Sequence, residues 1–153
     1  MKKFSFLFLC SIALSFGVFA QKRTTEVGIL ENGRAILTVD KENLLRVYNA
    51  NLLKFSQIDA KLTDVNLVPT DGGNYALVFT SDRYKSSIFV KNENGRMMAE
   101  NSTSCTTSDP GCKRQSDGCI PEYAEPTDVY AYCTDCANNG TCTKTITSGS
   151  LLN

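Results

Sequence analysis

The sequence predicts an α+β protein: a small antiparallel sheet of about six strands with one packed helix, followed by a disulfide-rich, loop-dominated C-terminal segment. Short β-rich runs alternate with turn dipeptides over the first hundred residues, and one stretch repeats apolar side chains at a helical period. Six of the seven cysteines lie in residues 101–153. We therefore divide the chain into a signal peptide (1–20), a small α+β domain (21–100) and a six-cysteine disulfide-rich segment (101–153).

The first 20 residues have the composition of a secretory signal peptide. Two lysines follow the first Met, an apolar run extends over residues 4–20, and the small residues Val18 and Ala20 occupy the positions that signal peptidases select. We expect cleavage after Ala20, and therefore a secreted or periplasmic protein without a membrane span after cleavage. The short double-lysine start is typical of a bacterial protein.

Two alternatives for this leader are weaker. A transmembrane anchor would rest on a run of about 17 residues, at the lower limit of what spans a bilayer. A lipoprotein would be acylated at Cys10, but the bulky Leu9 precedes that cysteine where such sites carry a small residue. Cleavage after Ala20 also removes Cys10 and leaves an even number of cysteines.

The first predicted element is a β-hairpin. Residues 27–30 and 35–39 are β-rich runs, and Asn32 and Gly33 lie between them. Asn-Gly favours a two-residue hairpin turn because both residues tolerate positive φ.

A helix is predicted over residues 41–55. Asp40 is suited to cap its N-terminus, and Glu42 suits the positive end of the helix dipole. Because the apolar stripe is one-sided, the helix must pack on another surface. The stripe consists of Leu44, Val47, Tyr48, Leu52 and Phe55.

Four further β-rich runs follow the helix, with turn-forming residues between them. Asn94 and Gly95 repeat the hairpin signal of the first pair of strands. Together with the first hairpin, these runs give about six strands, most simply arranged as an antiparallel sheet with the helix across one face. The four runs are residues 65–68, 75–80, 87–91 and 96–99.

Composition excludes several classes of function. The chain has no His, so it lacks the usual general base near neutral pH and the commonest metal ligand. It also has no Trp, the side chain most favoured in binding hot spots. After cleavage 14 basic residues remain against 16 acidic residues, so no strong field would attract nucleic acid or an anionic membrane.

The composition changes near Asn101. The stretch 101–153 holds 15 serines and threonines, three of the four prolines and few large aliphatic residues. A hydrophobic core in this stretch would be small, so cross-links are the expected substitute. We expect three disulfides, although spacing does not choose among the fifteen possible pairings. The cysteines are Cys105, Cys112, Cys119, Cys133, Cys136 and Cys142.

Two chemical alternatives compete with this structural role of the cysteines. Cys133 and Cys136 form a C-x-x-C pair, but the turn-forming Asn138 and Asn139 follow it, whereas a redox motif begins a helix. A zinc site needs four thiolates or imidazoles, usually as two C-x-x-C pairs, and only one such pair is present. We therefore expect no metal and no cofactor.

Acidic residues could form a catalytic pair, for example Asp59 with Asp64 or Glu122 with Glu125, but solvated surface carboxylates explain them as well. No phosphate-binding loop, nucleophile elbow or calcium loop is present. We therefore expect no catalytic residue.

Two further sets of residues are candidates for surface chemistry. Asn101 and Asn139 begin N-glycosylation sequences, which matter only in a host with that machinery. Tyr123, Tyr130 and Tyr132 lie among the cysteines, where they form either a recognition surface or the segment's own small core.

The function expected from these observations is that of an exported, noncatalytic binding module that contacts an unknown partner outside the cytoplasm. Two alternatives remain open. The C-terminal segment could be released as a cysteine-rich peptide of the toxin or bacteriocin type, or the protein could be a small secreted hydrolase that uses carboxylates alone.

Overall fold

The computed structural model describes residues 23–71 and 73–153, so the predicted signal peptide and its cleavage site lie outside the described residues. These ranges contain ten strands and two helices. The helices are α1 (Lys41–Ser56) and α2 (Pro110–Lys113). The strands are β1 (Thr24–Glu31), β2 (Arg34–Leu37), β3 (Asp64–Pro69), β4 (Tyr75–Thr80), β5 (Lys85–Glu93), β6 (Arg96–Glu100), β7 (Thr103–Thr107), β8 (Pro121–Glu122), β9 (Tyr132–Cys133) and β10 (Thr143–Ile146).

Eight of these strands form one antiparallel, barrel-like sheet that is nearly closed. One edge of β5 pairs with β4, which pairs in turn with β3. The other edge pairs with β6 at one end and β7 at the other. From β6 the sheet continues through β1 to β2, which approaches β3, and β7 pairs with β10. β8 and β9 form a separate two-stranded ladder.

The predicted mostly antiparallel sheet with a packed helix is confirmed, and the six predicted strands correspond to β1–β6. The sheet is larger than predicted, because the C-terminal segment contributes β7 and β10. Both Asn-Gly turns have the expected backbone, with φ of 50° at Asn32, 75° at Gly33, 55° at Asn94 and 87° at Gly95. Local turn chemistry therefore determines both hairpins.

Helix α1 begins and ends with recognisable caps. The Asp40 carboxylate accepts a hydrogen bond from the backbone N–H of Asn43 at 2.7 Å, as the sequence predicts. At the other end Gln57 is left-handed (φ 60°) and donates its N–H to the Leu53 carbonyl. The helix buries Leu44, Tyr48 and Leu52 against the sheet.

The main core lies between α1 and the concave face of the sheet. The Tyr48 ring stacks on Phe79 with the ring centroids 3.8 Å apart. Two leucines of the C-terminal segment, Leu151 and Leu152, are also buried in this core. Its other buried members include Val27, Val65, Leu77, Ile88, Val90, Met97 and Ala99.

A chain of hydroxyl groups crosses this core. The Tyr48 hydroxyl lies 2.7 Å from Ser86 Oγ, which lies 2.5 Å from Thr106 Oγ1. Burial raises the pKa of Tyr48 to about 12, although its hydrogen bond to Ser86 acts in the opposite direction. The helix is thus hydrogen-bonded to β5 through Ser86, and Ser86 in turn is hydrogen-bonded to Thr106 of β7.

Strand β5 is buried on both faces over its first six residues. Ser86, Ile88 and Val90 face α1 and the core. Because side chains alternate along a strand, Lys85 and Ser87 face the opposite side, where the C-terminal segment lies. The segment therefore covers the outside of the sheet, and its strand β7 continues beyond β6 along the same edge of β5.

Two adjacent leucines of α1 test how much the core packing contributes to stability. Leu52 is fully buried, whereas Leu53 is 49% exposed. Leu52→Ala is expected to lower the free energy of unfolding by about 2–5 kcal/mol because it leaves a cavity. Leu53→Ala should change it by less than about 0.5 kcal/mol. Urea unfolding followed by circular dichroism measures both values, and equal losses would contradict the packing described.

The raised pKa of Tyr48 predicts alkaline destabilisation. Above pH 10 the unfolded chain loses the Tyr48 proton, while the folded protein keeps it up to a pKa of about 12. The contribution of Tyr48 to the free energy of unfolding is therefore fully present below pH 10 and is lost as the pH rises towards 12. Between pH 8 and pH 11, Tyr48→Phe should remove about 1.4 kcal/mol of the decline.

The measurement is urea unfolding at pH 8, 10 and 11 in the absence of free thiols. Tyr123 remains in both proteins, so its own titration cancels in the comparison. Parallel pH profiles for the wild type and Tyr48→Phe would contradict the prediction.

Candidate functional site

The six cysteines of the C-terminal segment form three disulfides, Cys105–Cys133, Cys112–Cys136 and Cys119–Cys142. This confirms the predicted number of bridges and supplies the pairing. Every bridge joins residues 105–119, which we call the first arm, to residues 133–142, the second arm. Their Cα–Cα distances are 5.7, 5.1 and 5.5 Å, within the usual range for a disulfide. The two arms are thus fastened together at three points.

The C-x-x-C pair is divided between two bridges. Cys133 is bonded to Cys105, and Cys136 is bonded to Cys112. Redox proteins of the C-x-x-C type instead cycle a disulfide within the motif. The spacing therefore reflects two neighbouring attachment points of the second arm.

Backbone hydrogen bonds also join the two arms. The N–H of Cys119 donates to the Thr134 carbonyl at 3.1 Å, and the N–H of Thr134 donates to the Ile120 carbonyl at 2.9 Å. The Thr134 hydroxyl in turn accepts from the N–H of Ile120 at 2.9 Å. The short β8–β9 ladder extends this pairing and fixes the backbone at Tyr132.

Asp109 organises the outer end of the two arms. Its carboxylate caps α2 by accepting the N–H of Cys112 at 2.7 Å, and it also accepts from the side-chain amide of Asn138 at 2.7 Å. These hydrogen bonds, that of Cys112 first, lower the pKa of Asp109. Gly140 is needed here because a Cβ at this position would lie 2.5 Å from the Asp109 carboxylate.

Lys85 of β5 anchors the first arm to the sheet. Only 3% of this lysine is exposed, and its ammonium group donates to three backbone carbonyls. The acceptors are Gly118 at 2.5 Å, Gln115 at 2.7 Å and Cys112 at 3.4 Å. Burial lowers the pKa of Lys85, while the charge of Asp117 acts in the opposite direction. The carbonyl dipoles replace the water that a buried ammonium group loses.

Two more residues on the same face of β5 continue this contact. Ser87 Oγ donates to the Cys119 carbonyl at 2.8 Å. Further along, Phe89 packs edge to face on Tyr123 with the ring centroids 4.9 Å apart. One strand therefore holds the segment through a charge, a hydroxyl and an aromatic ring.

The three candidate tyrosines have different environments. Tyr123 is partly buried and donates its hydroxyl to the carboxylate of Glu100. Burial, followed by the hydrogen bond and charge of Glu100, raises the pKa of Tyr123. Tyr130 and Tyr132 are instead 45% and 44% exposed. Tyr123 therefore acts in packing, whereas Tyr130 and Tyr132 are available at the surface.

Tyr132 is exposed but held in place. Its hydroxyl donates to Glu122 at 3.0 Å across the β8–β9 ladder. This hydrogen bond raises the pKa of Tyr132, with a smaller contribution from burial. Val129 is also 45% exposed, so an apolar side chain lies next to the tyrosines in sequence.

The candidate carboxylates have local partners. Asp59 lies 3.7 Å from Lys61 and Asp64 lies 3.8 Å from Lys41, so the two belong to different surface ion pairs. Glu122 accepts the Tyr132 hydroxyl.

A cavity of about 570 Å³ lies between the end of α1 and the turn from β4 to β5. The ionisable residues of its lining are Asp59, Lys61, Asp82, Arg83 and Tyr84. These side chains include both signs of charge, and no single chemistry is evident from them.

The two glycosylation sequences lie in different surroundings. Asn101 is fully buried, and its amide donates to Thr25 Oγ1 at 2.7 Å. Asn139 is exposed in a turn with φ of 56°. A glycan could therefore attach to the folded protein at Asn139 but not at Asn101.

Comparison with models of protein families, with curated proteins and with solved structures finds no match to this chain. Neither helix in the described part of the chain has the length and apolarity needed to cross a bilayer. The three disulfides fit an extracellular or secreted protein.

Lys85 is the residue of this site that the sequence analysis missed, and it carries a testable consequence. Lys85→Met keeps most of the side-chain length but leaves three carbonyls without their donor, so the free energy of unfolding should fall by about 1–3 kcal/mol. Lys91→Met is the matched control on the same strand, because Lys91 is exposed. Its effect should stay within about 0.5 kcal/mol. Chemical denaturation of both variants without reductant makes the comparison, and equal effects would mean that the Lys85 contacts contribute nothing specific.

Proposed function

We propose that this chain is an exported, noncatalytic binding protein whose C-terminal segment contacts a protein partner outside the cytoplasm. The contact surface consists of Val129, Tyr130 and Tyr132, which we call the tyrosine surface. The observation that carries the proposal is that Tyr130 and Tyr132 are nearly half exposed on a backbone held by three disulfides.

The rigidity of the backbone around the tyrosine surface favours binding. Ordering a loop on association costs free energy, and a loop that is already ordered avoids much of that cost. Tyr132 is held by the β8–β9 ladder and by its hydrogen bond to Glu122, and the next residue, Cys133, is in a bridge. Tyrosine also loses little side-chain entropy, since it has only two rotatable torsions.

The chemistry of the surface favours a protein partner. Tyrosine side chains are enriched in protein interfaces, where the ring packs and the hydroxyl forms hydrogen bonds. Val129 adds apolar area to the same stretch. The balance of 14 basic against 16 acidic residues after cleavage gives no strong field for a nucleic acid or an anionic lipid.

We prefer this proposal to the two alternatives from the sequence. Release of a cysteine-rich peptide would require β7 and β10 to leave the main sheet and Leu151 to leave the core. A carboxylate hydrolase would need a pair of acids facing one cleft, whereas Asp59 and Asp64 are in separate ion pairs.

The binding test uses immobilised protein comprising residues 21–153 and the extracytoplasmic protein fraction of its host. A retained protein is identified by mass spectrometry, purified and titrated by calorimetry. The double variant Tyr130→Ala/Tyr132→Ala should weaken binding at least tenfold, since each tyrosine of a binding hot spot contributes more than about 1 kcal/mol.

The control for this test is Ile36→Ala/Leu53→Ala, which removes two comparably exposed apolar side chains elsewhere, 41% and 49% exposed. This control should bind as the wild type does. Circular dichroism and the disulfide map establish that both variants are folded. Equal affinity of the tyrosine variant and the wild type would refute the assignment of the tyrosine surface.

A further inference from the structure

Three sulfur atoms from two different disulfides meet in the C-terminal segment. The Sγ atoms of Cys105, Cys133 and Cys142 all lie within 4.8 Å of one another. Cys105 and Cys133 are bonded to each other, whereas Cys142 is bonded to Cys119. We call these three atoms the sulfur cluster. A thiolate released from one of these bridges would lie close to a sulfur atom of the other bridge.

Two of the three cysteines of the sulfur cluster are more exposed than the other cysteines of the segment. Cys133 and Cys142 are partly exposed. The four other cysteines are buried, with exposed fractions of 0% for Cys105, Cys112 and Cys119 and 4% for Cys136. An external thiol can therefore approach the two bridges of the cluster, whereas both ends of Cys112–Cys136 are shielded.

We propose that the sulfur cluster is a thiol–disulfide exchange site, at which an external thiolate bonds to Cys133 and the exchange passes from one bridge to the other. The substrate class is a small thiol or the cysteine of another exported protein. This inference goes beyond the proposed function and does not depend on the tyrosine surface.

The first step begins with attack of the external thiolate on Sγ of Cys133. A mixed disulfide forms there, the Cys105–Cys133 bond breaks, and its electron pair leaves on Sγ of Cys105. Lys144 lies directly opposite Cys105 in the β7–β10 ladder. Opposite residues share one face of a sheet, so a cationic side chain lies on the same face as the leaving sulfur atom.

In the second step the Cys105 thiolate attacks Sγ of Cys142. A Cys105–Cys142 bond forms, the Cys119–Cys142 bond breaks, and Cys119 leaves as a thiolate that takes a proton from water. The external sulfur is thereby oxidised to a mixed disulfide, and one protein sulfur, that of Cys119, is reduced.

The test treats the oxidised protein with reduced glutathione near neutral pH. Samples are quenched in acid, the free thiols are alkylated, and peptides are mapped by mass spectrometry. The expected first product carries glutathione on Cys133, a new Cys105–Cys142 bridge and an alkylated Cys119. The Cys112–Cys136 bridge should open at least tenfold more slowly.

Two variants serve as controls. Cys112→Ser/Cys136→Ser keeps the sulfur cluster and should give the same product. Cys119→Ser/Cys142→Ser removes the receiving bridge, so glutathione on Cys133 should leave a free thiol on Cys105. The wild type supplies the decisive product even if either variant fails to fold.

Three outcomes in the wild type would overturn the proposal. The first is no adduct in a large molar excess of reduced glutathione. The second is opening of Cys112–Cys136 first or at an equal rate. The third is an adduct without the Cys105–Cys142 bridge. Partner binding is measured separately, so failure here and failure of the proposed binding function are distinguishable.

Discussion

The structure depends on one strand, β5, that is buried on both faces. Ser86, Ile88 and Val90 face helix α1, whereas Lys85 and Ser87 face the C-terminal segment. A buried ammonium group is costly without acceptors, and the carbonyls of the first arm supply them. The segment is therefore a cover that the sheet requires, and the sheet is the support on which the segment is built.

The cover contains little apolar surface, so covalent bonds take over the role of a core. Three bridges join the first arm to the second. Each bridge restricts the unfolded chain, which typically raises the free energy of unfolding by about 2–4 kcal/mol. Because the bridges hold the segment together, its stability does not require every large side chain to be buried. Tyr130 and Tyr132 remain at the surface. The same crowding of bridges brings the sulfur atoms of Cys105, Cys133 and Cys142 together.

Local elements could be predicted because their signals lie within a few residues. Asp40 caps α1 through Asn43, three residues away, and Asn94 with Gly95 closes a hairpin between adjacent strands. Lys85 was missed because it lies before the predicted run 87–91, and its burial depends on carbonyls about thirty residues away. Leu151 is similar: its place in the core follows from the path of the whole segment.

By itself, the sequence determined the six local strands, the helix with its N-cap and the expectation of three bridges, because turn dipeptides, periodicity and cysteine number are local or countable properties. The tertiary structure alone decided the pairing of Cys105 with Cys133, the burial of Lys85 and the exposure of Tyr132. The physical reason is that each of these depends on contacts between distant parts of the chain, and spacing along the sequence does not specify them.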